Sequence, residues 1–424
     1  MTERNQPETA RMLGHALKVI RDSFKTSFSR NSIYIIATLS LNSAVGIVFW
    51  VVAARLYPKE DIGIASALLS SIALIIVLSR VGLDQSLVRF LPFRDRSSTL
   101  STSIAATTII AFALGIVFIL GVDFFSQSLN LIKERFVIYL LVLTALSVAS
   151  MIEIAFVALR RADLSFLQNT VASLRIVFLF PLVFLGVMGI FGSFGISMML
   201  ALCVSFAVLY GLGVRPTLVD RVYLRESLSF SLGNYIIGLL IVAPSQILPI
   251  LVLNILGPAD AANYFIAYAV ASLLFFVPSA LSTSLFVEGS YGKPLKSNAR
   301  AAILVIFLLL IPLVILVLLI GDEILGMVGS NYVEALGLVR IFVLSVFFMS
   351  VFPIFYSIKK VQKDIGILVG LSAFVFVSLL VFSYLFIDMY GLIGVGYAWN
   401  LTYGCGAFVI VVVSWREGWF HISR

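Results

Sequence analysis

The run from Ile33 to Ala54 reads IYIIATLSLNSAVGIVFWVVAA and contains no Asp, Glu, Lys, Arg or His. Wound as an α-helix, it would be roughly 33 Å long at about 1.5 Å per residue, which matches the hydrocarbon thickness of a bilayer. A strand of a membrane barrel would instead alternate apolar and polar residues over about 10 positions. In hydrocarbon every backbone N–H and C=O needs an internal partner, so an unbroken apolar run of this length reads as a transmembrane helix.

The same reading extends along the chain. Of the 424 residues, 61% are hydrophobic and 12% charged, with a mean hydropathy of +1.11; a soluble domain carries about 25% charged residues. Apolar runs fall at 31–54, 62–80, 100–121, 136–158, 168–190 and 193–214, then at 233–256, 261–287, 300–320, 335–357, 365–387 and 391–413. The expected fold is an all-α polytopic membrane protein of twelve transmembrane helices. Residues 31–214 make a first lobe (spans 1–6), and residues 215–424 a polar connector and a second lobe (spans 7–12). Residues 1–30 form a basic segment in which Leu13, Leu17, Ile20, Phe24 and Phe28 recur at helical spacing, the pattern of an amphipathic helix at a membrane interface. No small-residue cleavage site follows the first apolar run, so no cleavable signal peptide is expected.

Positive charge resists translocation. Twenty-three of the 29 Lys and Arg lie in the two tails and the even-numbered connections, and the odd-numbered connections hold only Arg55, Lys59, Lys133 and Arg135. Both termini are therefore expected in the cytoplasm, in a multi-pass protein of the plasma membrane. The net charge of +8 follows from this topology and is no nucleic-acid footprint.

The halves resemble each other at an offset near 200. Leu56-Tyr57-Pro58 after span 1 is matched by Leu256-Gly257-Pro258 after span 7, and Leu120-Gly121 by Ile320-Gly321. Span 6 opens Gly192-Ser193-Phe194-Gly195 and span 12 opens Gly391-Leu392-Ile393-Gly394. Six spans is an even number, so the halves are parallel repeats about an axis along the membrane normal, and a path for substrate is expected where they meet. Span 7 contains Pro244 and Pro249. Proline removes a helical hydrogen bond and bends the helix, so these two are the candidate hinge.

Ionisable groups at depth cost about 2.5–3.5 kcal/mol and mark function or a partner. Glu153 in span 4 and Arg175 in span 5 sit at comparable depth, and an ion pair or shared water network between them is expected. Arg80 and Asp84, spaced to pair at i, i+4, leave Arg89 for headgroups or for the lobe interface. Arg340 lies near the outer end of span 10. A guanidinium matches phosphate oxygens and is always charged, so Arg89, Arg175 and Arg340 are the candidate substrate-binding residues, with snorkelling to lipid as the competing role. Asn42, Asn234 and Gln246 are candidates for lining a polar cavity. Spans 1 and 7 hold no carboxylate, unlike the expected site of an organic-cation exporter. The two cysteines, Cys203 and Cys405, sit in apolar runs and read as packing residues. The two histidines, His15 and His421, lie in opposite tails. No catalytic site, metal site or cofactor is expected.

Three segments carry a family resemblance: Ala54-Arg55-Leu56-Tyr57-Pro58-Lys59-Glu60-Asp61-Ile62-Gly63, Gly82-Leu83-Asp84-Gln85-Ser86-Leu87-Val88-Arg89-Phe90 and Leu224-Arg225-Glu226-Ser227-Leu228-Ser229-Phe230-Ser231-Leu232. With Ala335-Leu336-Gly337-Leu338-Val339-Arg340-Ile341, they resemble the polysaccharide-transporter (Wzx-like O-antigen flippase) branch of the multidrug/oligosaccharidyl-lipid/polysaccharide exporter superfamily. The resemblance implies two six-helix lobes around a central cationic cavity, rocking between inward and outward states to flip a polyprenyl-diphosphate-linked oligosaccharide. It carries over Arg89 and Arg340 as pattern positions, and implies membrane lipids and glycan-assembly proteins as partners. The lipid II flippase branch has charges in its first span, and this first span has none. The alternatives are a cation-coupled multidrug exporter of the same superfamily and a membrane-embedded polysaccharide biosynthesis enzyme.

Overall fold

The structure, a computed structural model, describes residues 27–290 and 295–418. The amphipathic helix expected in the N-terminal segment lies outside them but for residues 27–30. Among the described residues there is no strand. Eleven stretches of the described residues are helical, long and apolar enough to cross a membrane. Span 1 is Ser27–Leu56, span 2 Lys59–Arg80, span 3 Arg96–Leu120, span 4 Phe136–Ala158 and span 6 Val187–Gly211. Span 7 is Arg221–Leu256. Span 8 joins Pro258–Ser272 to Phe276–Ser290 through a 3₁₀ turn. Span 9 is Leu295–Val328, and span 10 joins Leu336–Met349 to Val351–Val361. Spans 11 and 12 are Ile365–Tyr390 and Leu392–Arg416.

Span 5 departs from the expected single helix at 168–190. It consists of Ala162–Ala172, Arg175–Leu179 and a 3₁₀ turn at Val183–Leu185. Its second helix stops just before Pro181, which lacks a donor and restricts the residue ahead of it. The segment nevertheless crosses alongside span 1. Asn31 Oδ1 accepts from the backbone N–H of Ala162 at one end (2.9 Å), and the Tyr57 hydroxyl donates to the Leu179 carbonyl at the other (2.8 Å). That is the twelfth crossing.

The repeat reappears in the packing. Span 1 packs on span 5 as span 7 packs on span 11, and span 4 on span 6 as span 10 on span 12. Spans 3 and 4 pair as spans 9 and 10 do. The backbone corrects one register. Gly186 (φ 55, ψ −130) and Gly391 (φ 60, ψ −144) both hold a conformation that L side chains avoid, immediately before spans 6 and 12. Three residues on, a Cβ on Gly189 would sit 2.1 Å from the Leu182 carbonyl oxygen, and one on Gly394 would sit 2.0 Å from that of Phe386. The partner of Gly391-Leu392-Ile393-Gly394 is therefore Gly186-Val187-Met188-Gly189, not Gly192 to Gly195.

Span 7 runs as one helix through Pro244 and Pro249. Both prolines are buried. The interruptions in this half lie elsewhere, at Leu273–Phe275, at Ile320 (φ −113, ψ 20) and between Met349 and Val351. Cys203 and Cys405 are exposed on the bundle surface and do not fill the core.

Candidate functional site

Span 2 carries most of the first lobe's contact with spans 7 and 8. A Cβ on Gly63 would lie 1.9 Å from the Pro258 carbonyl oxygen, so spans 2 and 8 meet backbone to backbone. Beside them the rings of Trp50 and Phe265 pack at 4.4 Å. The end of the molecule bearing the odd-numbered connections is latched by polar contacts between the lobes. Arg55 donates from Nε and Nη2 to the Met327 carbonyl (3.1 and 2.5 Å). Lys59 Nζ donates to the Asn331 carbonyl and to Glu334 Oε2, each at 2.7 Å, and lies 5.6 Å from the centre of the Tyr332 ring. Asn254 Nδ2 donates to the Phe125 carbonyl (2.6 Å). Tyr57, beside this latch, has its ionisation pushed up to about 12 by burial and by the charge of Asp61, so it remains a neutral donor.

At the other, basic end, only one side of the seam is closed. A Cβ on Gly82 would meet Ser231 Cβ at 2.5 Å, the Tyr235 hydroxyl donates to the Leu78 carbonyl (2.9 Å), and Arg94 pairs with Glu226. The Tyr223 hydroxyl shares a 2.9 Å hydrogen bond with Ser103 Oγ. On the opposite side, the basic halves of spans 1 and 8 pack chiefly within their own lobes, on spans 5 and 10. There Ser40, Ser279, Thr283 and Ser284 are exposed, as is Asn234 of span 7. Polar side chains at membrane depth face water-filled cavities, not lipid.

Arg175 is half-buried between the rings of Phe49 and Phe194, 5.7 and 4.7 Å from their centres, and its buried Nε has no hydrogen-bond partner among the described residues. It does not pair with Glu153. That carboxylate accepts from Asn169 Nδ2 (2.8 Å) and Ser165 Oγ (3.4 Å), one turn apart on the first piece of span 5. Helical geometry fails for Arg80 and Asp84 as well. Val81 (φ 45) and Gly82 (φ 80) break the helix between them, and among the described residues no ion pair joins them. Arg80 Nε is buried without a hydrogen-bond partner among the described residues. Arg89 lies exposed on the short helix Leu83–Phe90, outside the spans and 5.7 Å from the Phe90 ring. Arg340 is exposed one turn into span 10. Asn42 and Gln246 are half-buried, and Gln246 Nε2 donates to Ser245 Oγ (3.1 Å).

A family profile described as polysaccharide biosynthesis protein matches residues 28–286, more than half of the chain. The chain belongs to that family. No curated protein matches it. This family member is similar in fold to a solved inward closed conformation of the lipid II flippase MurJ, with a TM-score of 0.72 and 15% identity over 90% of this chain and 87% of that one. It is also similar to an inward-facing multidrug resistance MATE family transporter of the MOP superfamily (TM-score 0.69, 16% identity, 89% and 94% covered). An outward-facing conformation of a multidrug resistance MATE family transporter gives a TM-score of 0.64 at 16% identity, covering 92% and 95%. The fold is thus shared with these solved transporters.

Sequence reasoning alone leaves the latch out. It treats Arg55 and Lys59 only as exceptions to the topology rule, although two cations in sparsely charged connections are the available signal.

Proposed function

We propose that this member of the polysaccharide biosynthesis protein family is a flippase. It carries a polyprenyl-(di)phosphate-linked oligosaccharide across the plasma membrane by alternating access between the lobes 31–214 and 215–424. The basic end faces the cytoplasm, since positive charge resists translocation. Membrane lipids and glycan-assembly proteins are its partners, and it performs no chemistry on the glycan.

One observation carries this reading. The seam between the lobes is latched at the sparsely charged end, while on its uncovered side the basic end exposes Ser40, Asn234, Ser279, Thr283 and Ser284, four hydroxyls and an amide. Such a lining suits a headgroup of sugar hydroxyls; an organic cation would want an intramembrane acid. Arginines already set into or beside the spans, with Arg175 held by aromatic faces instead of a carboxylate, suit a phosphate-bearing cargo. The test is transbilayer movement of lipid-linked oligosaccharide in reconstituted vesicles, measured beside efflux of a cationic dye. Movement of the glycan lipid without dye efflux is expected. Efflux without glycan movement would move the assignment to the drug-exporting MATE branch.

A further inference from the structure

A cavity of about 370 Å³ lies within the second lobe, between spans 7, 8, 10, 11 and 12, and no sequence motif marked it. Its mouth is formed by residues that remain exposed, Ser279 and Thr283 of span 8 and Lys360 at the end of span 10. Its buried floor mixes the hydroxyls of Ser282, Tyr356, Ser357 and Ser372 with the apolar Phe352 and Val375. The mouth residues Ser279 and Thr283 belong to the same uncovered stretch of span 8 that borders the seam.

The direction of the hydroxyl bonds defines what the cavity can hold. Ser279 Oγ donates to the Phe275 carbonyl and Thr283 Oγ1 to the Ser279 carbonyl, each at 2.9 Å. Ser282 Oγ donates to the Pro353 carbonyl (2.7 Å) and Ser357 Oγ to the Ser282 carbonyl (2.9 Å), while Tyr356 and Ser372 share one proton at 2.6 Å. A hydroxyl has one proton and two lone pairs. With the protons of Ser279, Ser282, Thr283 and Ser357 turned into the protein and one proton of the Tyr356–Ser372 pair left over, the cavity offers mainly acceptors to a ligand rich in O–H groups. The neighbouring lysines differ in the same telling way. Lys359 is buried and neutralised by Asp364 (3.4 Å) and Glu417 (2.5 Å). No carboxylate pairs with Lys360 among the described residues, and none lines the cavity. One cation without a carboxylate disfavours an organic cation, and the mix of hydroxyls with Leu240, Met349, Phe352 and Tyr403 suits a sugar, which has polar edges and an apolar face. The volume is at the small end of the roughly 300–1,000 Å³ of ligand pockets, enough for one sugar residue and too little for an oligosaccharide.

We propose that this cavity seats a single glycosyl residue whose attached phosphate is held at the mouth by Lys360. It is a second-lobe subsite for the lipid-proximal sugar of the cargo. This rests on the flippase reading above.

The shared chemistry is a sugar phosphate, which a lipid headgroup or a soluble metabolite could supply. The test uses the full chain in proteoliposomes, with Cys203 and Cys405 replaced by Ala and a single Thr283→Cys at the mouth. Labelling by a small charged thiol reagent is followed with three additions: lipid-linked glycans extracted from the membranes of the producing cell, the same lipids stripped of glycan by mild acid, and glucose 1-phosphate. The expected result is that the intact extract slows labelling about tenfold while the other two leave it unchanged. Lys360→Gln should weaken that protection about tenfold, as for a lost bond between charged groups, and Lys360→Arg should restore it with no change in melting temperature. Equal protection by stripped lipid would overturn the sugar assignment, and equal protection by glucose 1-phosphate would overturn the lipid-linked source. Undiminished protection in Lys360→Gln would overturn the anion contact. An extract that protects nothing, in vesicles that flip, would remove the subsite and leave the flippase. Vesicles of the unmodified chain that do not flip at all would remove the flippase reading, and the subsite with it.

Discussion

Replacing Arg55 by Ala and Lys59 by Met in one variant removes the cationic half of the latch between the lobes. Arg55 makes a two-armed bond to the Met327 carbonyl, and Lys59 bonds to the Asn331 carbonyl and to Glu334. The Glu334 side chain is 73% exposed, so solvent screens its ion pair and it adds little to the latch. Each charged donor on a carbonyl contributes about 1.5 kcal/mol at the low end of its range. The latch is then worth about 3 kcal/mol, or about a hundredfold in the open-to-closed ratio at 1.4 kcal/mol per factor of ten. A seam closed about 99% of the time would become close to evenly populated. The reporter is Phe265→Cys in a chain lacking Cys203 and Cys405, because Phe265 packs on Trp50 within the seam. Its labelling by a membrane-impermeant reagent from the latched end should rise about fiftyfold, as the open fraction does, over the same reporter with Arg55 and Lys59 intact. Glu334→Gln alone should change the rate by about fivefold at most. If the double variant labels at the parental rate, the latch does not hold the seam and the assignment of a gate to this end is wrong.

Gly391→Ala and Gly186→Ala should each lower the melting temperature of the detergent-solubilised protein, since each forces a side chain into a φ of 60 or 55 at a cost of about 1–3 kcal/mol; equal melting temperatures would refute the strained repeat. Glu153→Gln and Arg175→Gln should be additive in stability to within about 0.5 kcal/mol, because Glu153 bonds to Asn169 and Arg175 lies between rings; rescue of one by the other would restore the rejected ion pair. The Lys133 ammonium bonded to Asp123 holds that carboxyl below the usual carboxylate range. A depressed folded value stabilises the fold above the unfolded pKa of about 3.9 and loses that contribution as pH falls through the folded one. Melting curves of Asp123→Asn and the parent should therefore converge below about pH 3.9, and a gap that widens on acidification would contradict the sign.

Much of the fold was legible because bilayer thickness and backbone satisfaction leave few choices for an apolar run. Span 5 was the exception, and its own residues say why. Hydropathy counts Ala172 to Leu185 as spanning residues, but it does not see that Pro181 and Gly186 withdraw a donor and impose a positive φ. The repeat was legible at Pro58 and Pro258, where both second spans start. It was misaligned at span 6 because Gly192 and Gly195 share the Gly-x-x-Gly spacing of Gly391 and Gly394. What separates the true pair is backbone conformation and a carbonyl within 2.1 Å of a would-be Cβ, and neither leaves a trace in composition.

The charged residues show a deeper limit. Depth along a span can be counted from sequence at about 1.5 Å per residue, but the direction a side chain takes around the helix cannot be counted across a break. Glu153 and Arg175 were matched by depth alone. The break after Ala172 separates the two pieces of span 5, so the amide of Asn169 reaches Glu153 while the guanidinium of Arg175 enters the space between Phe49 and Phe194. Aromatic faces can hold a buried cation without cancelling its charge, whereas a carboxylate would cancel it. An arginine held in this way keeps a net positive field inside the first lobe. For the phosphate-bearing cargo proposed above, that field is worth more than a neutral pair, which makes the failed pairing a more informative result than its success would have been.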